Sequence, residues 1–198
     1  DGVIGMDAVA KSPADGYTLM LVPDTVMVVN QFVYPRLPYN AEQDFQSLAL
    51  LGKIDLLLVT HPNSGMKTFA DFVQRAKAQP KGLSYGSGGA GHPTHLMMEM
   101  TANRLGFELN HVPYKGTAPA IQDLASGQVQ AMLVGLAEAL PLIKAGRIVA
   151  LAASGPGARE SFPSLPLLKD AHPDLDLTVW FGIYGPAGMP KGVVELLN

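Results

Sequence analysis

Seven short apolar runs, alternating with segments of helical spacing, constrain this chain more than any other feature of its sequence. The runs are Tyr17–Val22, Asp55–Thr60, Leu83–Tyr85, Leu109–Tyr114, Val129–Val134, Ile148–Ala153 and Thr178–Pro186. Most are continuous rather than alternating, which is the pattern of strands buried on both faces. Between them, Thr68–Gln79 opens with Thr68 as N-cap and Asp71 three residues on, a relative of the capping box, and ends before Pro80. Pro93–Gly106 starts with Pro at the first helical position, carries Leu96, Met97, Met100 and Leu105 on one face, and stops at a glycine. Thr117–Gly127 and Glu138–Gly146 also end at glycine, and Pro190 opens a last helix. Strand and helix in this order predict an α/β fold with parallel strands joined by right-handed crossovers. Ligands of such sheets gather at the carboxyl ends of the strands. That rule singles out three junctions: Tyr85–Pro93, Tyr114–Thr117 and Val134–Glu138.

The 198 residues, 47% of them hydrophobic and 16% charged, suffice for one large domain or two small ones and exclude a disordered chain. A net charge of −3 gives no electrostatic case for nucleic acid or an anionic membrane as a partner. No apolar run reaches the length of a membrane span, so no insertion of this chain into a bilayer is expected. Cysteine is absent, which excludes disulfides, thiolate metal sites and a Cys nucleophile. The chain begins at Asp1 without a signal-like segment and stops in "KGVVELLN" without a helix cap, so both ends are expected to be trimmed.

The first of the three junctions, "YGSGGAGHPTHL", places Gly86, Gly88, Gly89 and Gly91 directly before a Pro-initiated helix. Three chemistries compete for such bare backbone. Gly86 to Gly91 matches the dinucleotide pattern G-x-G-x-x-G, which also asks for an acidic residue at the end of the next strand; that strand ends "VPYKG", with only Lys115 to serve a 2′-phosphate. A catalytic elbow needs glycine where Tyr85 stands, so Ser87 is a poor nucleophile, and a phosphate-binding loop needs Lys and Ser/Thr where His92 and Pro93 stand. No carboxylate joins His92 and His95 at a metal-ligand spacing. Anion binding without chemistry remains: glycines let backbone approach a ligand, and N–H groups at the following helix start favour a carboxylate or phosphate. Ser87 and Thr94 offer hydroxyl donors to it.

Taken together, "ADGYTLML" (Ala14–Leu21), "FVYPRLPYN" (Phe32–Asn40), the glycine loop, "HVPYKGTAPAIQDLASGQV" (His111–Val129), "ALPLIKAGRIVALAAS" (Ala139–Ser154) and "WFGIYGPAGMPKGVVELLN" (Trp180–Asn198) resemble the solute-binding receptors of tripartite tricarboxylate transporters, the Bug or TctC family. The resemblance runs in order over almost the whole chain.

It implies a periplasmic receptor with a type II periplasmic-binding-protein fold, two α/β lobes with a ligand cleft between them. Such a receptor closes on a small carboxylate and hands it to a membrane permease, without cofactor, metal or catalysis. On this resemblance residues 1–52 with 178–198 form the first lobe, lacking the family's first strand and helix, and residues 53–177 form the second. Tyr85, Ser87, Gly89, Ala90, Gly91, His92 and Thr94 are implied to hold one carboxylate from the second lobe, and Pro23, Asp24 and Thr25 to face the cleft from the first. Thr117 is a further candidate lining. Asp24 stands where relatives carry small hydroxyl residues, so it repels a carboxylate or accepts a ligand hydroxyl or amine. His92 replaces a commoner Ser and adds a donor that strengthens on protonation. Val134, followed by Gly135, stands where amino-acid receptors carry an Asp, an apolar wall that suits an aromatic or aliphatic carboxylate without an amine there; the ligand class implied overall is a dicarboxylate, tricarboxylate or aromatic acid. The readings to be separated from this one are an NAD(P)-dependent oxidoreductase built on Gly86–Gly91, and a ligand sensor for a signalling partner.

Overall fold

A computed structural model describes residues 2–198. In chain order the elements are α1 (Val3–Ala10), β1 (Met20–Pro23), α2 (Asn30–Val33), β2 (Phe45–Ile54), β3 (Leu56–Thr60), α3 (Phe69–Ala78), β4 (Ser84–Ser87) and α4 (Pro93–Leu105). There follow β5 (Asn110–Pro113), α5 (Thr117–Ala125), β6 (Ala131–Gly135), α6 (Leu136–Lys144), β7 (Val149–Ala153), β8 (Val179–Pro186) and α7 (Lys191–Leu197). A π-helical turn, Thr25–Val29, joins β1 to α2. Two compact units result, Asp1–Lys53 with Val179–Asn198, and Ile54–Thr178.

The first unit carries a sheet of order β1-β8-β2, with β1 antiparallel to β8 from Met20↔Tyr184 to Pro23↔Phe181. Its core gathers Met6 and Val9 of α1 with Val26, Tyr39 and Phe45. Tyr39 meets Phe45 edge to face at 5.7 Å and its hydroxyl accepts from the buried Asn30 amide at 3.2 Å. Neither α1 nor β2 stands out in the sequence: "VIGMDAVA" carries an interior Gly and three β-branched residues, and six of the ten β2 residues are exposed.

The second unit is built on a five-stranded sheet of order β5-β4-β6-β3-β7. Here the all-parallel expectation fails. β4 is parallel to β5 and β6, but β3 runs antiparallel to both of its neighbours, β6 and β7. Apolar periodicity identifies a strand and is silent on its direction. The crossover rule constrains only two parallel strands of a sheet, and β6 and β7, joined by α6, lie on opposite sides of an inserted β3. The central strands do have the two-sided burial that their composition predicts: every residue of β3 is buried, and so are Ala131 to Val134 of β6. Leu57, Met132, Val134, Leu124, Ile148 and Leu167 share one core with Ala120 and Ala139, each large aliphatic chain contributing about 1.5–3 kcal/mol on burial. α4 turns Met97, Met98, Thr101 and Ala102 inward, leaving Met100, 41% exposed, outside the face assigned to it from spacing.

Candidate functional site

Because β5, β4 and β6 are mutually parallel and adjacent, their carboxyl ends share one edge of the sheet. The three junctions singled out by the sequence therefore meet there: the β4–α4 loop in the middle, the β5–α5 turn on one side and the β6–α6 turn on the other. The first two touch, since Tyr114 N–H donates to Ser87 O and Gly116 N–H to Gly88 O, both at 3.1 Å.

The β4–α4 loop needs its glycines. Gly89 has φ 129° and Gly91 φ 77°, values that favour glycine. A Cβ on Gly89 would stand 3.1 Å from Tyr114 O, and one on Gly88 would strike the His92 ring at 2.8 Å. Ser87 and Thr94 are placed differently from the expectation that they offer hydroxyls to a ligand. Both are buried. Ser87 Oγ accepts from Gly89 N–H at 3.1 Å, reaches Gly89 O at 3.2 Å and meets His111 Nε2 at 2.7 Å. Thr94 Oγ1 accepts from Gly88 N–H at 3.1 Å. Gly91 N–H donates to His95 Nδ1 at 3.2 Å. The loop thus satisfies most of its own donors, and from Gly88 to Gly91 Ala90 is the residue whose N–H meets no acceptor among the described residues.

His92 is the N-cap of α4, its Nδ1 accepting Thr94 N–H at 3.3 Å and lying 2.9 Å from Thr94 Oγ1. Burial lowers its pKa, and Glu138 in the first turn of α6 pulls the other way. This corrects the expectation of a donor strengthened by protonation: the cap requires an unprotonated Nδ1, which leaves Nε2–H as the donor of a neutral ring. His61 and His172 cap short 3-10 turns in the same way, each before a Pro.

The flanking turns are open where α4 is closed. Gly116 is the N-cap of α5 and Gly135 that of α6, neither giving a side-chain cap; the first N–H of α6, Leu136, donates to Asp55 O at 3.3 Å, and the later first-turn N–H groups with the positive helix ends lie at the same edge of the sheet. Thr117, half-buried, opens α5. Tyr114 packs beneath, its hydroxyl donating to Asp123 at 2.7 Å and its pKa pushed up to about 12 by burial first and then by that carboxylate. Val134 is fully buried in the core opposite Leu57, so its side chain is not exposed to line a ligand wall as expected, and Gly135 after it is half-buried.

Asp24 and Thr25 belong to the first unit, at the start of the π-helical turn. The half-buried Asp24 carboxylate accepts Thr25 N–H at 2.8 Å and the backbone N–H of Trp180. Burial raises its pKa against those two bonds. Thr25 is buried. Trp180 and Phe181 are half-buried on β8, Phe181 opposite Pro23. Arg159 pairs with Asp170 at 3.3 Å on the surface.

The residues that spacing did not reveal are His95 and His111. Neither adjoins the loop in sequence; the parallel register that sets Tyr85 beside His111, and one turn of α4, bring them to it. The dinucleotide pattern meets the right strand–loop–helix frame, yet its last glycine precedes the N-cap instead of packing within the helix, and β5 ends without a carboxylate.

The sequence profile of the tripartite tricarboxylate transporter family receptor matches residues 1–198. The UPF0065 protein of the tcbD–tcbE intergenic region of Pseudomonas sp. strain P51 is 36% identical over 199 residues, covering 100% of this chain and 59% of that protein. Protein BugT of Bordetella pertussis is 33% identical, covering 100% of this chain and 61% of that protein. Among solved structures, Rpa4515 of R. palustris with adipate superposes with a TM-score of 0.90 at 32% identity, over 99% of this chain and 66% of that one. MatC of Rhodopseudomonas palustris with bound malate gives 0.86 at 25% identity, over 99% and 67%. The periplasmic binding protein BugD gives 0.87 at 26%, over 99% and 66%. The chain spans about three fifths of the length of these curated relatives. It belongs to the family of tripartite tricarboxylate transporter receptors, with the fold of periplasmic binding proteins.

Proposed function

We propose that this chain is the capturing part of a periplasmic receptor for a small dicarboxylate, which it holds without catalysis and passes to membrane permease subunits. The observation that carries the reading is the shared edge of β5, β4 and β6, where a glycine loop lies between two helices that start without side-chain caps. Helix starts of this kind offer N–H donors and a positive end to an anion, and no metal or reactive group is needed.

On this reading Ala90 N–H, His92 Nε2–H, Thr117 with the start of α5, and Gly135 face the ligand. Ser87, Gly89, Gly91 and Thr94 shape the loop behind them. Within the first unit the Asp24 carboxylate, which accepts the Thr25 and Trp180 N–H groups, disfavours a second carboxylate directly against it and favours a hydroxyl. Closure of the two lobes is the whole mechanism, driven by the ligand's greater affinity for the closed state. The bound adipate and malate of the two R. palustris proteins support a dicarboxylate over an amino acid.

A thermal-shift screen of the full-length protein against dicarboxylates, tricarboxylates, aromatic acids, amino acids, NAD and NADP tests it. A ligand at about 100 times its Kd adds roughly 2.7 kcal/mol to folding. A rise with one class of carboxylate, abolished by Gly91→Val, is expected; a rise with NAD or NADP alone overturns the proposal.

A further inference from the structure

Two histidines outside the β4–α4 loop hold its two ends. His111, on β5, meets Ser87 Oγ through Nε2 at 2.7 Å, and His95, on α4, accepts Gly91 N–H at Nδ1 at 3.2 Å. Their rings stack on each other, centroids 4.1 Å apart and planes 22° apart. The column continues from His111 onto Tyr85 at 4.9 Å, and the Tyr85 hydroxyl donates to Glu99. One stack of rings thus ties the first residue of the loop to its last. We propose that the His95–His111 pair is a clamp that positions the carboxylate-seating loop and makes its shape, and hence ligand affinity, depend on pH; this rests on the receptor reading above.

The two rings are not equivalent. A backbone N–H can only donate, so His95 Nδ1 is unprotonated and its proton sits on Nε2. An imidazolium has no acceptor, and protonating His95 therefore breaks the bond to Gly91. His111 faces a hydroxyl, which donates or accepts, so its bond to Ser87 survives in either state. Two imidazolium rings 4.1 Å apart repel. The groups that face the pair are Ser87 and Tyr85 on β4 and Glu99 on α4, of which only Glu99 favours protonation. Burial outweighs it, and both rings sit below the ordinary imidazole value, His111 further lowered by His95. The clamp is closed at neutral pH and opens as pH falls through and below the ordinary imidazole range, releasing Gly91 while the His111–Ser87 bond holds.

The test follows the ¹⁵N-labelled full-length protein from about pH 8 to about pH 5 by NMR, alongside adipate binding by calorimetry. The Gly91 amide is expected to titrate with the His95 ring, at a midpoint below about 6.5, and to stay still in His95→Asn, whose Oδ1 accepts the same N–H without titrating. At about pH 7.5 His95→Ala lowers adipate affinity roughly fivefold, the scale of one hydrogen bond, and His95→Asn recovers most of that loss. The ratio of wild-type to His95→Asn affinity, in which the ligand's own protonation cancels, falls as the solution is acidified. Melting curves of each variant separate lost fold from lost clamp. A Gly91 amide indifferent to His95, a folded His95→Ala with unaltered affinity, or an affinity ratio that rises in acid overturns the clamp. Intact coupling in a protein that binds no carboxylate overturns the receptor reading, and with it the clamp's role in binding, while the coupling itself stands.

Discussion

Gly89 and Gly5 show how one chemical change takes opposite signs at two positions. Gly89 holds φ 129° with Tyr114 O where a Cβ would be 3.1 Å away, so Gly89→Ala meets both backbone strain and a carbonyl that cannot retreat without breaking the contact between the two loops. Strain of that kind costs about 1–3 kcal/mol. Gly5 lies inside α1, exposed, with open space where its Cβ would go. There the substitution removes unfolded-state freedom and adds helix propensity, a gain of about 0.5–1 kcal/mol. Urea unfolding midpoints are expected to move down for Gly89→Ala and up for Gly5→Ala, and loss of carboxylate affinity should accompany the first change alone. The sequence marked the glycine loop as a turn of bare backbone before a helix, because four glycines and a Pro are a local signal. It could not show that Ser87, Gly91 and Thr94 turn their donors and acceptors inward. Their partners lie elsewhere in the chain, as His111 does for Ser87, or depend on helix geometry, as His95 does for Gly91.

At the scale of elements, α3 was legible from end to end. Thr68 Oγ1 accepts Asp71 N–H at 3.1 Å, and Asp71 Oδ2 accepts Thr68 N–H and Lys67 N–H at 2.9 Å each, a full capping box. Those bonds hold the Asp71 carboxyl below its ordinary range. The helix buries Phe72 edge to face against Phe107 at 5.6 Å. Thr68→Ala removes the side-chain half of the box and is expected to cost about 1 kcal/mol, measured as a lower unfolding midpoint, with Thr68→Ser recovering it. What stayed hidden at this scale was direction and partnership. β3 and β6 read as apolar runs and are buried strands, but the antiparallel insertion of β3 between β6 and β7 is decided by contacts distant in sequence. β2 and α1 escaped because each shows too weak an apolar pattern to separate it from a loop.

For the whole molecule, the decisive fact is how the chain is divided. The second unit, Ile54–Thr178, is one uninterrupted stretch with its own five-stranded sheet and core, whereas the first unit is assembled from residues before Lys53 and after Val179. In the first unit β8 lies between β1 and β2, so its sheet cannot form until the last segment of the chain is present. The two units therefore differ in what each needs in order to fold. Residues 54–178 expressed alone are expected to unfold cooperatively on heating and to keep the Gly91–His95 coupling in their NMR spectrum, because each hydrogen bond of the β4–α4 loop described above is made within that stretch. Residues 2–53 alone are expected to show no cooperative transition, since β1 loses its partner strand β8. A second unit that fails to fold by itself would mean that its stability is borrowed from the first, and that the loop at the edge of β5, β4 and β6 is shaped only in the complete protein.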